Sequence, residues 1–456
     1  MLKLSDTLTG EKREFKPNGD VVRIYVCGVT PYSSAHVGHA MSYIVFDVLH
    51  RYLEFKEFTV QRVQNFTDID DKLITRANER GISVEQLSQL HIQEYMEDMS
   101  NLNIIPADIY PLATQEIPKI IELIQGLVSS GMAYESNGDV YFRVRKSLDY
   151  GKLSHRSLET MRAGARVDSE TEKEHPMDFA LWKSAKPNEP FWDSPWGNGR
   201  PGWHIECSAM ALKYLGNSID IHGGGQDLIF PHHENEIAQS ESFTNSSPFA
   251  NFWLHNGLLN LDSEKMSKSL GNLVTIREAL QKFSSDAIRL SVLNAHYRSP
   301  GYYSDQSLSA SEKAIARIRY SISLSSNENS PTDLDATEYR LRFISAMDDD
   351  LNTPQALAAL FDLAREINRE SSSGEKKLSN AQSILKELAL ILGFTLEENL
   401  SDVDDEITVT VQNLIQERTE LRSLGKYAEA DNVRDQIMSL GIEITDTAEG
   451  TTWRRN

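Results

Sequence analysis

The chain has 456 residues, 40% hydrophobic and 25% charged, which is longer than one hydrophobic core supports, so two or more domains are expected. Its 67 acidic and 46 basic side chains leave a formal charge of -21, which excludes retention on nucleic acid or anionic lipid by global charge but leaves room for a local basic face. No apolar run reaches the ~18 residues of a membrane span; Met1 to Asp6 open no signal-like apolar region; and two cysteines make no disulfide scaffold, so a reducing cytoplasm is the expected compartment.

Taken in chain order, Val21 to Val26 is rich in β-branched residues and reads as a strand ending at Cys27-Gly28. After a turn containing Pro31, residues Val37, Met41, Ile44, Val48 and Tyr52 fall on one helical stripe, and Phe58 to Val63 reads as a second strand. Strand, helix, strand at this spacing predicts a parallel pair with a right-handed crossover, the start of a doubly wound α/β domain. From about Glu116 to Arg200 the pattern changes to that of an insertion: a helix through Ile117, Ile120, Ile121 and Ile124, a strand at Val140 to Val144, then polar loops and a Trp/Pro/Gly-rich stretch. A strand resumes at Ile219 to His222, and from about Asp286 the chain is helical. Ser321 to Asp333 reads as a linker, Ser371 to Gly374 as a break, and Thr353-Pro354 as a helix start with Thr353 the cap. An acidic stretch, Glu397 to Glu406, precedes a last segment read as a helical hairpin striped by Val411, Leu414, Ile415 and Arg418 and by Tyr427, Ala430, Val433 and Ile437. No repeat of fixed period occurs.

Two short motifs carry chemistry. His36-Val37-Gly38-His39 falls where the first strand turns into its helix, where free N–H groups and the helix dipole favour phosphate. Two imidazoles add donors, and Gly38 lets a flat base approach the backbone; the bland alternative is a pair of surface histidines near a cap. No Walker-A loop is present, and Gly223-Gly224-Gly225 does not extend to a dinucleotide fingerprint. Far downstream, Lys265-Met266-Ser267-Lys268-Ser269 offers two lysines able to stabilise charge on a departing pyrophosphate, although a Lys/Ser run is more often solvated surface. Cys27, Cys207, and His232 with Glu236 at i, i+4 would make a tetrahedral zinc set, with Cys207 expected to begin a helix. On the residues alone, two buried thiols beside a capping histidine and a solvated glutamate is the simpler reading. Trp203 reads as a pocket rim from its Gly/Pro-rich setting, against the commoner alternative of an ordinary core tryptophan. The C-terminal Arg418, Arg422, Lys426, Arg434, Arg454 and Arg455 would contact an RNA backbone, with Trp453 stacking on a base, or form an ordinary solvated helix face.

Together, His36 to His39 and Lys265 to Ser269 resemble the paired signatures of class I aminoacyl-tRNA synthetases, and nearly the whole chain is similar to the cysteinyl-tRNA synthetase family. The matching stretches are Tyr25 to Gly28, Asn65 to Lys72, Ala163 to Asp168, Gly199 to Met210, Asp220 to Asp227, Phe230 to Glu236, His296 to Pro300 and Gly450 to Arg455. The chain departs from the family pattern at the turn Gly28 to Ala35, with Pro31 early and no acid after Tyr32, and at Val37, where Ile or Leu is usual. The turn also resembles that of a sister ligase, which joins cysteine to an amino-sugar inositol but is shortened at the C-terminus; the segment Glu397 to Asn456 favours the synthetase. A nucleotidyltransferase on the same fold would lack the helical C-terminal module, and a non-catalytic RNA-binding relative would have lost signature residues that are all present here.

The resemblance implies a Rossmann-type catalytic domain in residues 1–115 and 201–258, split by a connective insertion at 116–200. A stem-contact region with the lysine loop at 259–310, a helical bundle at 311–396 and a small anticodon-binding domain at 397–456 would follow. It implies ATP-dependent activation of L-cysteine and transfer to the 3′ end of tRNA(Cys). His36, His39, Lys265 and Lys268 would be catalytic, and His36, Gly38, His39, Asp227 and Lys268 would bind ATP with its Mg2+. Thr67 would meet the substrate carboxylate, Asp227 its amino or ribose groups, Trp203 would close over it, and His222 would orient it. One zinc would sit on Cys27, Cys207, His232 and Glu236, with His233 and Glu234 outside the ligand set. A cytoplasmic monomer with no membrane partner is expected.

Overall fold

The computed structural model describes residues 1–159, 173–187, 189–261, 264–265, 273–397, 402–423, 425–447 and 450–455. They divide into two compact units, Met1–Leu396 and Glu397–Asn456.

The first unit is built on a four-stranded parallel sheet. A small antiparallel pair, β1 (Lys3–Ser5) and β2 (Lys12–Glu14), precedes β3 (Val21–Val29), α1 (Val37–Phe55) and β4 (Thr59–Phe66). The expected crossover is present: β3 pairs parallel with β4 from Val21↔Thr59 to Tyr25↔Val63. The strand runs through Val29, so Cys27 lies inside it rather than at its end. It stays extended because Val22, Ile24 and Val26 are buried on the α1 side while Tyr25 and Cys27 enter the core on the other side, as period-2 alternation requires. α2 (Asp71–Arg80) and α3 (Val84–Asn101) follow, each started by a side-chain cap, Asp70 and Ser83.

The insertion starts with α4 (Ile117–Ser129), whose Ile117, Ile120, Leu123, Ile124 and Leu127 are buried. It continues as an antiparallel sheet of β5 (Ala133–Ser136), β6 (Asp139–Phe142), β7 (Phe179–Ser184) and β8 (Gly199–Pro201). The sequence pattern shows one strand here; β5 is hidden as a four-residue run just after α4, and β7 and β8 because polar loops separate them widely from β6. The chain returns to the parallel sheet through α5 (Trp203–Leu215), β9 (Ile219–Gly225), α6 (Glu234–Thr244) and β10 (Ala250–Asn256), in strand order β10-β9-β3-β4. Cys207 sits in the middle of α5 instead of opening it, and His232 belongs to a bent turn, Ile229–His233, just before α6.

Beyond β10, β11 (Leu259–Leu261) and β12 (Glu264–Lys265) pair, followed by α7 (Ile276–Leu280), α8 (Ser285–Leu293) and β13 (Gly301–Tyr303), which lies parallel to β11. The bundle comprises α9 (Asp305–Ser323), α10 (Thr337–Asp348), α11 (Thr353–Ser373) and α12 (Ser379–Ile391). Asn352, one residue before the expected Thr353, caps α11, because its side chain reaches the N–H of Gln355 while the Thr353 hydroxyl donates to the Leu293 carbonyl. One apolar core runs from the α1 face of the sheet into these helices. Inside it the Arg289 guanidinium of α8 bonds to Asp47 of α1, to the Leu102 carbonyl (3.0 Å) and twice to the Leu392 carbonyl (2.9 and 3.0 Å). Asp286, also on α8, accepts from the backbone N–H groups of Thr395 (2.8 Å) and Leu396 (2.9 Å).

The second unit carries α13 (Asp402–Ser423), α14 (Tyr427–Ser439) and an antiparallel pair, β14 (Ile442–Thr447) and β15 (Gly450–Arg455). It is therefore a helical hairpin closed by a β-hairpin, with Val411, Val433, Ile437, Ile442 and Ile444 as its core. Among the described residues no helix is long and apolar enough to cross a membrane.

Candidate active site and metal centre

At the C-terminal end of β3 the sheet opens into a cleft of about 420 Å³, lined among others by Cys27, Tyr32, His36, Gly38, His39, Lys72, Trp203 and Asp227. Ligand clefts form at such strand ends in open α/β sheets. His36 is the N-cap of α1, and the two signature rings stack with centroids 3.8 Å apart. His39 Nδ1 accepts the backbone N–H of His36 at 3.3 Å, which keeps both rings at the positive end of the helix. The His36 turn is tied to the chain just beyond the lysine loop: Val37 N–H donates to the Val274 carbonyl (3.0 Å) and Ile276 N–H to the Ala35 carbonyl (3.0 Å). Both flanks of that loop are thus anchored, β11 and β12 before it and Val274 after it. Lys268 lies outside the described residues, and of Lys265 only its place in β12 is described.

At the base of the cleft, β3 and β4 come so close that a Cβ on Gly28 would lie 1.5 Å from the Asn65 carbonyl oxygen. Only glycine fits there. Asn65 Oδ1 accepts the Gly28 N–H at 2.9 Å, and its amide donates to Thr67 Oγ1 at 3.3 Å. Thr67 itself is buried behind the cleft, whereas Asp227 is exposed at its edge on the short turn Gln226–Leu228. Trp203, 41% exposed, stacks on His232 with ring centroids 4.3 Å apart.

Beside Cys27 the ligand atoms of Cys27, Cys207, His232 and Glu236 all lie within 4.8 Å of one another, and all four residues are buried. Sγ to Sγ is 3.9 Å, Cys27 Sγ to Glu236 Oε1 3.5 Å and His232 Nε2 to Glu236 Oε1 3.0 Å. A tetrahedral zinc with bonds of about 2.0–2.3 Å separates its donors by about 3.3–3.8 Å, so this donor set fits that ion in spacing and in softness. Sequence distance hid the cluster: Tyr25 sits opposite His222 across β3 and β9, which brings residues nearly two hundred positions apart onto one sheet. The same span also admits a second grouping, Cys27, His222, His233 and Glu236. The two share Cys27 and Glu236, so one ion at a time can be held. Two thiolates make the first grouping the stronger zinc site.

The surrounding hydrogen bonds were not legible in the sequence. His204 Nδ1 lies 2.8 Å from His232 Nδ1, His222 Nε2 2.9 Å from Glu236 Oε2, and His233 Nδ1 2.7 Å from His255 Nε2, whose other nitrogen meets Thr7 Oγ1 at 2.8 Å. His233 thus faces the cluster, with Nε2 3.3 Å from Cys27 Sγ, while Glu234 turns away to accept the backbone N–H groups of Gly151 and Ser154. A hydrogen bond from the Cys27 thiol draws the Cys207 pKa down to about 6, and burial pushes that of Cys27 up. Burial, with His232 beside it, holds His204 well below the usual histidine range. The available signal was density: five of the twelve histidines fall between His204 and His255.

In the second unit Arg418 is buried with its guanidinium 3.4 Å from Thr451 Oγ1, and Trp453 packs on the apolar core. Arg418 is thereby structural, not part of an open basic face. Arg422 and Arg434 are exposed, and Lys426 pairs with Glu429 at 3.1 Å. The side chains of Arg454 and Arg455 lie outside the described residues.

Residues 14–313 match the model of the tRNA synthetases class I (C) catalytic domain, and residues 342–397 match the DALR domain. The chain is 54% identical over 456 residues to a cysteine–tRNA ligase of Dehalococcoides mccartyi, covering 99% of each. It is 49% identical over 466 residues to one of Caldicellulosiruptor saccharolyticus, covering 100% of each. Its fold is that of a Mycobacterium tuberculosis methionyl-tRNA synthetase solved with methionyl-adenylate, with a TM-score of 0.60 at 16% identity, over 82% of this chain and 89% of that one. With a catalytic-domain match over two thirds of its length and end-to-end identity to these ligases, the chain belongs to the cysteine–tRNA ligase family of class I tRNA synthetases.

Proposed function

We propose that the chain condenses L-cysteine with ATP and passes the cysteinyl group to the 3′ end of tRNA(Cys). The cysteine carboxylate attacks the α-phosphorus of ATP, a P–O bond forms, the bond to the β-phosphate breaks, and pyrophosphate departs with its Mg2+. A terminal ribose hydroxyl of the tRNA then displaces AMP from the adenylate. The observation that carries this reading is one cleft in which Cys27, part of the buried donor set, and the stacked His36–His39 pair share a wall.

His36 and His39 at the start of α1 bind the phosphates and stabilise charge that grows as pyrophosphate leaves; Gly38 gives the base access to the backbone. Lys265 and Lys268 neutralise the leaving group. Thr67, fixed by Asn65, and His222 orient the amino acid, Trp203 closes its rim, and Asp227 meets the amino or ribose groups. Cys27, Cys207, His232 and Glu236 would hold zinc, which when bound supplies a soft Lewis acid that favours a thiol over a hydroxyl. No side chain need act as a nucleophile, because positioning and preorganised charge supply the rate.

Cysteine-dependent ATP–pyrophosphate exchange tests the first half-reaction and tRNA charging the second; exchange with cysteine and not with serine is expected. Exchange without charging would move the chain to an amino-sugar acceptor. Removing residues 397–456, a compact unit of its own, should spare exchange and cut charging sharply, because anticodon recognition is assigned to that unit.

A further inference from the structure

The cleft does not end at its rim. A second groove of about 460 Å³ adjoins it, lined by Tyr32, Ser33, Asp71, Lys72, Thr75, Arg76 and Glu79, and its first two residues and Lys72 also line the cleft. Lys72, Thr75, Arg76 and Glu79 fall at i, i+3, i+4 and i+7, one exposed face of α2. Most of the groove's charge is neutralised: Arg76 pairs with Glu79 at 2.9 Å, and Asp71 with Lys183 at 2.7 Å and with Arg200. Lys72 differs. Among the described residues it enters no ion pair, and its ammonium lies 5.9 Å from the centre of the Tyr32 ring, at the junction of the two hollows.

We propose that this groove is the entry path of the tRNA's single-stranded 3′ end, with Lys72 on a backbone phosphate and Tyr32 as a platform for a base. The inference rests on the activity proposed above, since an acceptor hydroxyl must reach an adenylate formed in the adjoining cleft. Single strands bind through a cation on the backbone and an aromatic face under a base, and Lys72 with Tyr32 supplies that pair on an otherwise acidic protein. The phosphates of ATP are the other source of the same chemistry, and the two half-reactions separate them.

The test uses the full chain, its zinc retained, with Lys72→Ala and Lys72→Arg. Lys72→Ala is expected to lower charging kcat/KM roughly tenfold or more, well beyond any fall in cysteine-dependent exchange, with Lys72→Arg restoring most of the charging. The slope of log KM for tRNA against log salt should fall by about 0.7, the contribution of one phosphate contact to a single strand. Exchange that falls in step with charging would assign Lys72 to ATP, and loss of neither would show that the groove carries no RNA. Failure of the unaltered chain to exchange with cysteine would defeat the proposed activity instead.

Discussion

Replacing His204 by alanine should weaken metal binding without touching a ligand. His232 presents Nε2 to Glu236 at 3.0 Å, on the side of the donor set, so that nitrogen must be free of its proton when an ion is held. The remaining hydrogen is then on Nδ1, 2.8 Å from His204 Nδ1, and has one place to go. His204 can accept it because burial and the neighbouring His232 keep its ring neutral, with its own proton on Nε2. Deleting that acceptor leaves a buried donor unsatisfied and the ligand ring less firmly oriented. Partners of this kind are worth about 10- to 100-fold in metal affinity, or about 1.4–2.7 kcal/mol. The Trp203 ring stacked on His232 survives the change and continues to restrain it, so a loss near the lower end, about 10- to 30-fold, is expected. Competition for zinc against a chromophoric chelator measures it. An affinity unchanged within about twofold would refute the argument, and a loss of about a thousandfold would show that His204 is itself a ligand.

Three further outcomes follow from the same framework. Cys207→Ser removes one of two buried thiolates, and after equilibration with a chelator the variant should retain less than about a tenth of the zinc, measured per chain by elemental analysis. Arg289→Met should cost about 3 kcal/mol in urea unfolding, because it removes one of the two cations on buried Asp47, leaving Arg51 alone, and takes the guanidinium donor from the Leu102 and Leu392 carbonyls. Burial raises the Asp47 pKa, but Arg289 and Arg51 together override it and hold it below the usual value. Its contribution is therefore present above about pH 4 and lost as pH falls through the folded value, so the gap between wild type and variant should narrow in acid. Lys268→Ala should lower exchange far more than cysteine affinity by calorimetry, since its charge matters when pyrophosphate departs; equal losses would contradict it.

Much of the α/β frame was readable because its signals are local. The stripe from Val37 to Tyr52 and the β-branched run from Val21 are properties of neighbours in sequence, and both became the elements they resemble. Where the reading slipped, a nonlocal contact decided. Thr353 gave up the cap of α11 because its hydroxyl serves Leu293, sixty residues away. The β-hairpin after α14 has the alternation of Ile442 and Ile444, but it is too short to outweigh the helical text before it. At the site, the residue types of the donor set were visible, and the sheet register that unites them was not. His204 was passed over because a histidine beside a tryptophan carries no periodic signal, and its role exists only through a ring from another element.

The clasp of Asp286 on Thr395 and Leu396 fixes where the first unit ends. Asp286 lies one turn of α8 from Arg289, which holds α1, and α1 begins at the signature histidines. The chain beyond residue 396 therefore departs from a point pinned to the helix that presents His36 and His39, through one buried ion pair and one buried carboxylate that accepts backbone N–H groups. Its starting point does not wander by fraying of α12. The end of the first unit is thus held from inside its own core by α8, and not by the helix that precedes it in the chain.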